Sequence, residues 1–149
     1  MTVFEKKSRL ACSAAEMFSW HERPEAFERL SPPWSGVRIL KPLAALRNGE
    51  TTSFLVSAGI LSVAWVARME EVEPGHRFVD VQTRGPFVFW RHEHMFIEET
   101  PKTCWMHDRV TYQLPMGILG RLMAGKVRRD IERLFSFRHN CLMAVFGEP

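Results

Sequence analysis

Between residues 37 and 115 the chain is cut into short alternating runs by turn dipeptides. This feature limits its fold more than any other. The separators are Asn48-Gly49, Ala58-Gly59, Pro74-Gly75, Gly85-Pro86 and Thr100-Pro101-Lys102. Each supplies a glycine or proline where a tight turn needs one. The runs between them, at 37–40, 50–57, 61–72, 78–83, 87–98 and 103–114, read as strands. Links this short join antiparallel neighbours, because a parallel pair needs a long crossover. An antiparallel meander is therefore expected, and a doubly wound parallel sheet is disfavoured.

The flanks complete the outline. Residues 2–10 read as a first strand. Ser13 with Glu16 three residues on forms a capping-box pattern opening a helix over 14–21. Pro24 suits a helix start and leads a short second helix, 25–30, which Pro32-Pro33 stops. After Pro115 the period changes. Leu119, Leu122, Met123, Val127, Ile131, Leu134, Phe135 and Leu142 recur at three- and four-residue steps, the mark of a long amphipathic helix. The only large apolar surface it can cover is the curved sheet. The 149 residues, 46% hydrophobic and 25% charged, suit one soluble domain spanning 1–149.

Net charge is +3, unevenly spread. Residues 117–146 hold six cations (Arg121, Lys126, Arg128, Arg129, Arg133 and Arg138) against Asp130 and Glu132, so this segment is +4 and the remainder −1. Interleaved acids make it read as the solvated face of a helix, and no nucleic-acid partner is expected. No apolar run is long enough to span a bilayer, so no integral membrane association is expected. The three cysteines, Cys12, Cys104 and Cys141, form no CxxC pair. With no apolar leader visible, they point to a reduced, cytoplasmic protein. A homodimer is allowed for.

Alternation sorts the strand faces. In 87–98, Arg91 and Glu93 point out, which turns Trp90, His92, His94 and Phe96 in. In 103–114, Met106, Asp108, Val110 and Tyr112 form the more apolar face. In 61–72, Val63, Trp65, Ala67 and Met69 face inward. The strand at 78–83 is undecided, since Val79 and Val81 oppose Phe78, Asp80 and Gln82. An inner wall of bulky aromatics studded with imidazoles and carboxylates suits a cavity better than a sealed core. The expected ligand contacts are Trp65, Asp80, Trp90, His92, His94, Phe96, Met106, Asp108 and Tyr112 from the sheet, with Leu122, Met123 and Val127 from the helix. His92, His94 and Asp108 are the candidate catalytic groups, through His–Asp acid–base pairing. A polar network that anchors a ligand is the preferred reading of this trio. His-x-His on a strand is a weak metal signal, so no metal and no cofactor are expected. Trp20, His21 and Trp34 border the expected mouth. Gly125 either leaves room for a ligand or eases packing.

Four stretches resemble the START-like superfamily, also called SRPBCC or helix-grip proteins, and within it the polyketide cyclase/dehydrase-like or coenzyme-Q-binding-like branch. They are residues 18–34 (FSWHERPEAFERLSPPW), 78–96 (FVDVQTRGPFVFWRHEHMF) and 108–115 (DRVTYQLP), with LFSFRH at 134–139. The resemblance implies an α+β helix-grip fold. A curved antiparallel sheet of about seven strands would wrap a long C-terminal helix, with two short helices between strands 1 and 2. It further implies a hydrophobic cavity for a lipid, polyketide, isoprenoid or aromatic molecule, and a carrier, sensor or sequestering role. The alternatives are a cofactor-free cyclase or dehydratase acting on a polyketide-like substrate, and an interaction module accessory to an epimerase-like partner. Catalysis is left open.

Overall fold

The computed structural model describes residues 1–149. Seven strands form one antiparallel sheet in the order β1-β7-β6-β5-β4-β3-β2. They are β1 (Thr2–Leu10), β2 (Arg38–Lys41), β3 (Thr51–Ala58), β4 (Leu61–Glu73), β5 (Arg77–Arg84), β6 (Phe89–Thr100) and β7 (Thr103–Gln113). Two short helices, α1 (Ala14–His21) and α2 (Ala26–Arg29), precede a 3-10 turn at Pro33–Ser35, and α3 (Ile118–Phe146) closes the chain. This is the helix-grip α+β architecture expected from the sequence.

Local chemistry sets the boundaries. The Ser13 side chain accepts from the Glu16 amide at 3.1 Å, capping α1. Gly120 is required by contact, since a Cβ there would lie 2.0 Å from the Pro115 carbonyl oxygen. Gly125 is not: an added Cβ would meet nothing nearer than Arg129 at 3.8 Å, and Gly125 does not line the cavity. The pairing of β4 with β5 slips between Glu70 and Glu73. There Glu71 takes a left-handed φ of 47°. The Asn48 side-chain oxygen accepts from the Val72 amide, and the Glu71 carboxylate reaches Arg77 and Arg91.

The apolar interior falls into two parts. One gathers Leu10, Met17, Phe18, Phe78, Phe96, Met106 and Leu142 beneath α1 and the end of α3. The other gathers Phe4, Trp90, Val110, Tyr112, Ile131 and Phe135. A layer of buried histidines and aspartates separates them. The residues of α3 that bury are Ile131, Phe135, His139 and Leu142, all from its middle onward.

Candidate functional site

The polar layer follows from strand register. Asp80 on β5 lies directly across from His92 on β6, and His94 lies across from Asp108 on β7. The strong hydrogen bonds run on the diagonals, which lie within reach of long side chains. His92 Nε2–H donates to Asp108 Oδ1 at 2.6 Å, and His94 Nε2–H donates to Asp80 Oδ2 at 2.6 Å. The direct pairs are longer: His92 Nδ1 to Asp80 Oδ2 is 3.2 Å and His94 Nδ1 to Asp108 Oδ1 is 3.6 Å. The two imidazoles lie 3.6 Å apart between ring centroids, and Phe78 stacks on His94 at 3.9 Å.

Helix α3 completes the layer. His139 Nε2–H donates to Asp108 Oδ2 at 2.7 Å, and its Nδ1 meets the Ser8 hydroxyl of β1 at 2.7 Å. Neither residue was picked out from the sequence. One signal was available: His139 occupies a position on the stripe of Ile131, Phe135 and Leu142, where a polar residue needs a buried partner.

Charge follows from this geometry. Burial alone would strip His92 of its proton, but the carboxylates of Asp80 and Asp108 outweigh burial and push it up to about 9. His92 is thus an imidazolium clamped between two carboxylates. Burial acts against both aspartates as well, and the histidines around them still hold them below the usual carboxylate range. His94 goes the other way, lowered first by burial and then by the adjacent His92 charge. His21, at the end of α1, donates from Nδ1 to the Met17 carbonyl at 2.8 Å, and burial pushes it down to about 4.

A cavity of about 630 Å3 opens beside this layer, over β3, β4 and β5 and under α2 and the middle of α3. Of the contacts expected from the sequence, Trp65, Asp80, Trp90, His92, His94 and Val127 line it. Asp108 does not; it stands behind His92, fully enclosed. Three aromatic and sulfur positions are corrected. Phe96 packs edge-on against Phe18 with ring centroids 5.6 Å apart, Met106 joins the same cluster, and Tyr112 packs with Phe4 and Phe135. Over β1, β7 and the Phe96 end of β6 the space is filled by α1 and the later turns of α3, so the hollow lies under the rest of the sheet and reaches β6 at Trp90, His92 and His94. Two helix positions are also corrected: Leu122 is 75% exposed and Met123 40%. A 29-residue helix runs about 44 Å, whereas nine-residue β1 beneath it runs about 30 Å, so the first turns of α3 overshoot the sheet.

The structure adds lining residues that periodicity did not mark. Phe54, Phe78 and Phe87 join the wall, as do His21 and Trp34. Trp34 carries the Arg133 guanidinium over its ring at 3.9 Å. Arg138 also lines the cavity, donating from Nε to the Leu30 carbonyl at 3.2 Å, and the Asp108 and Asp80 charges act on it at longer range.

Asp80, His92 and His94 offer one carboxylate oxygen and two ring nitrogens within 4.8 Å of one another. That donor set suits zinc or non-haem iron. Two ligands on one tetrahedral zinc ion sit about 3.4 Å apart given bonds of about 2.1 Å. The 2.6 Å from His94 to Asp80 is the span of a shared proton, so an ion would have to spread this pair.

The START superfamily protein from Mycobacterium smegmatis superposes with a TM-score of 0.66 at 13% identity, covering 96% of this chain and 98% of that one. The Zhui aromatase/cyclase from Streptomyces sp. R1128 gives 0.70 at 14%, covering 97% and 95%. The nucleoside-diphosphate sugar epimerase from Corynebacterium glutamicum gives 0.68 at 23%, covering 95% of this chain but 28% of that one. At such identities the likeness establishes the START-like fold and nothing finer. No match is found among curated proteins. A family profile covers residues 8–146, and by that match the chain belongs to the family described as Domain of unknown function (DUF8410), built on the START-like fold.

Proposed function

We propose that the protein binds one small amphipathic molecule in the cavity, as a carrier, sensor or sequestering protein. The observation that carries this reading is the cavity's two-sided wall. Trp65, Trp90, Phe54 and Phe87 offer apolar surface, while Asp80, His92, His94 and Arg138 offer hydrogen bonds and charge from other sides. About 630 Å3 falls within the usual span of small-molecule sites. Burying about 300 Å2 of apolar ligand surface would contribute about 7 kcal/mol before the costs of association. The polar groups would orient a hydroxyl, carbonyl or carboxylate.

Native mass spectrometry of protein purified from its host is the test. A retained small molecule, lost in an Ala67→Trp variant that fills the hollow, supports the reading. Failure to retain any molecule, together with an apolar fluorescent probe that binds the variant as well as the parent, overturns it.

One observation favours a second reading. His92 and His94 sit side by side with opposite protonation tendencies, one held as an acid and the other left as a base. Such a pair could enolise or dehydrate a polyketide-like ligand. His94→Gln would then abolish turnover while leaving ligand retention intact; loss of neither, with an active preparation in hand, discards catalysis.

A further inference from the structure

Strand direction sorts the loops to two ends of the sheet. The start of β1, the β3–β4 and β5–β6 turns and the start of α3 all share one end, because successive strands are antiparallel. Exposed large apolar side chains gather there: Ile60 and Leu61 at one turn, Val88 at another, and Ile118, Leu119 and Leu122 on α3. Monomers seldom leave so much apolar surface in one place without a partner.

Charge identifies the partner. Residues 2–4, 56–64, 83–90 and 112–129 contain no acidic residue, yet they carry Arg84, Arg121, Lys126, Arg128 and Arg129. Lys126 and Arg128 pair with Asp130 and Glu132 one turn further along. Arg84, Arg121 and Arg129 are exposed, and none of them forms an ion pair. The opposite end mixes signs, setting Glu50, Glu73, Glu98 and Glu99 beside Arg9, Arg47, Arg77 and Lys102, so its charges largely cancel. A second copy docked symmetrically would press this basic rim against its own like charges. A nucleic acid would meet isoleucines and leucines where its phosphates need cations.

We propose that this end docks on an anionic bilayer surface, with Leu119, Leu122 and Ile60 entering the headgroup region and Arg84, Arg121 and Arg129 resting on lipid phosphates. An interfacial helix with apolar and basic signals together binds in this way. The cavity reaches the same rim, where Gly59, Phe87, Lys126 and Val127 line it. Docking therefore sets the cavity beside the lipid, a short path for an amphipathic cargo. The proposal draws on the carrier reading for its purpose alone: a cavity shown to take no ligand would leave vesicle binding standing, and the reverse also holds.

The test is flotation of the full chain with vesicles of phosphatidylcholine mixed with phosphatidylglycerol, against phosphatidylcholine alone. Binding to the anionic vesicles is expected, weakening as salt rises. Arg121→Gln and Arg129→Gln should each lower it about 5-fold, the equivalent of about 1 kcal/mol per cation near such a surface. Leu119→Glu with Leu122→Glu should abolish it with the circular dichroism spectrum unchanged, since both side chains are exposed. The proposal is overturned by absence of flotation at low salt, or by flotation that these variants leave untouched. It is also overturned if sedimentation reveals a dimer that the same substitutions dissolve, which would make a second copy the occupant.

Discussion

The imidazolium between Asp80 and Asp108 makes stability depend on pH in a defined way. Raising a buried imidazole from 6.5 to about 9 corresponds to about 3 kcal/mol. Between those two values the folded chain holds a proton that the unfolded chain has released. This contribution is therefore complete below pH 6.5 and is lost as pH climbs through 9. His21 and His94 act in the opposite sense, since burial lowers both. Below 6.5 the unfolded chain takes up protons that the folded one refuses, so stability falls toward about pH 4, where His21 titrates. The lowered aspartates add to this acid limb once the pH falls under the usual carboxylate range. Stability should accordingly peak near pH 6.5. For 149 residues the unfolding entropy is about 0.3 kcal/mol per degree, so the alkaline limb should cost about 10 °C in Tm by pH 9. Asp108→Asn removes one of the two flanking charges and should roughly halve that limb. Its hydrogen bonds survive: the amide oxygen can still accept from His92, and the amide nitrogen can donate to His139 once that ring reverses its tautomer against the Ser8 hydroxyl. Thermal melts from pH 4 to 10 and ring-nitrogen NMR of both proteins check this. A wild-type His92 that titrates near 6.5, or a Tm flat from 6.5 to 9, refutes the argument.

Three other outcomes are expected. Phe135→Ala empties a fully buried site beneath Phe4 and His92, with ring centroids at 5.4 and 5.0 Å, and should cost about 3–5 kcal/mol by denaturant titration. Burial raises all three thiols, Cys12 up to about 12, but Cys12 and Cys104 are enclosed while Cys141 is half-buried, so a thiol reagent at pH 8 should label Cys141 alone in the native state and all three cysteines after denaturation. Ser13→Ala should lose about 1 kcal/mol, measured the same way, because the α1 cap bond to Glu16 disappears.

The strands, turns and helices were legible because turn residues and period are local signals. The start and end of α1, from Ala14 to His21, agree with the capping pattern to the residue. Inward-facing His92, His94 and Asp108 followed from alternation. The face of β5 did not, and its surroundings give the reason. Val79 is fully buried on the outer face, sheltered where Arg77, Arg91, Glu93 and Arg109 exchange ion pairs. Both faces of that strand therefore read as half-apolar, and Asp80 carried no directional label. His139 and Ser8 lie 131 residues apart, and no periodic rule brings such positions together. Leu122 and Met123 continue the helix stripe perfectly well in sequence. What periodicity could not reveal is where the sheet beneath them stops.

That overhang has a dynamic consequence. From Ile131 onward α3 is gripped on one side along its length and bolted by His139, while residues 118–130 have no buried side chain to hold them. The helix thus behaves as a cantilever with its clamp at midspan. Its leading turns can flex without unfolding anything, and their amide protons should exchange with solvent far faster than those past Phe135.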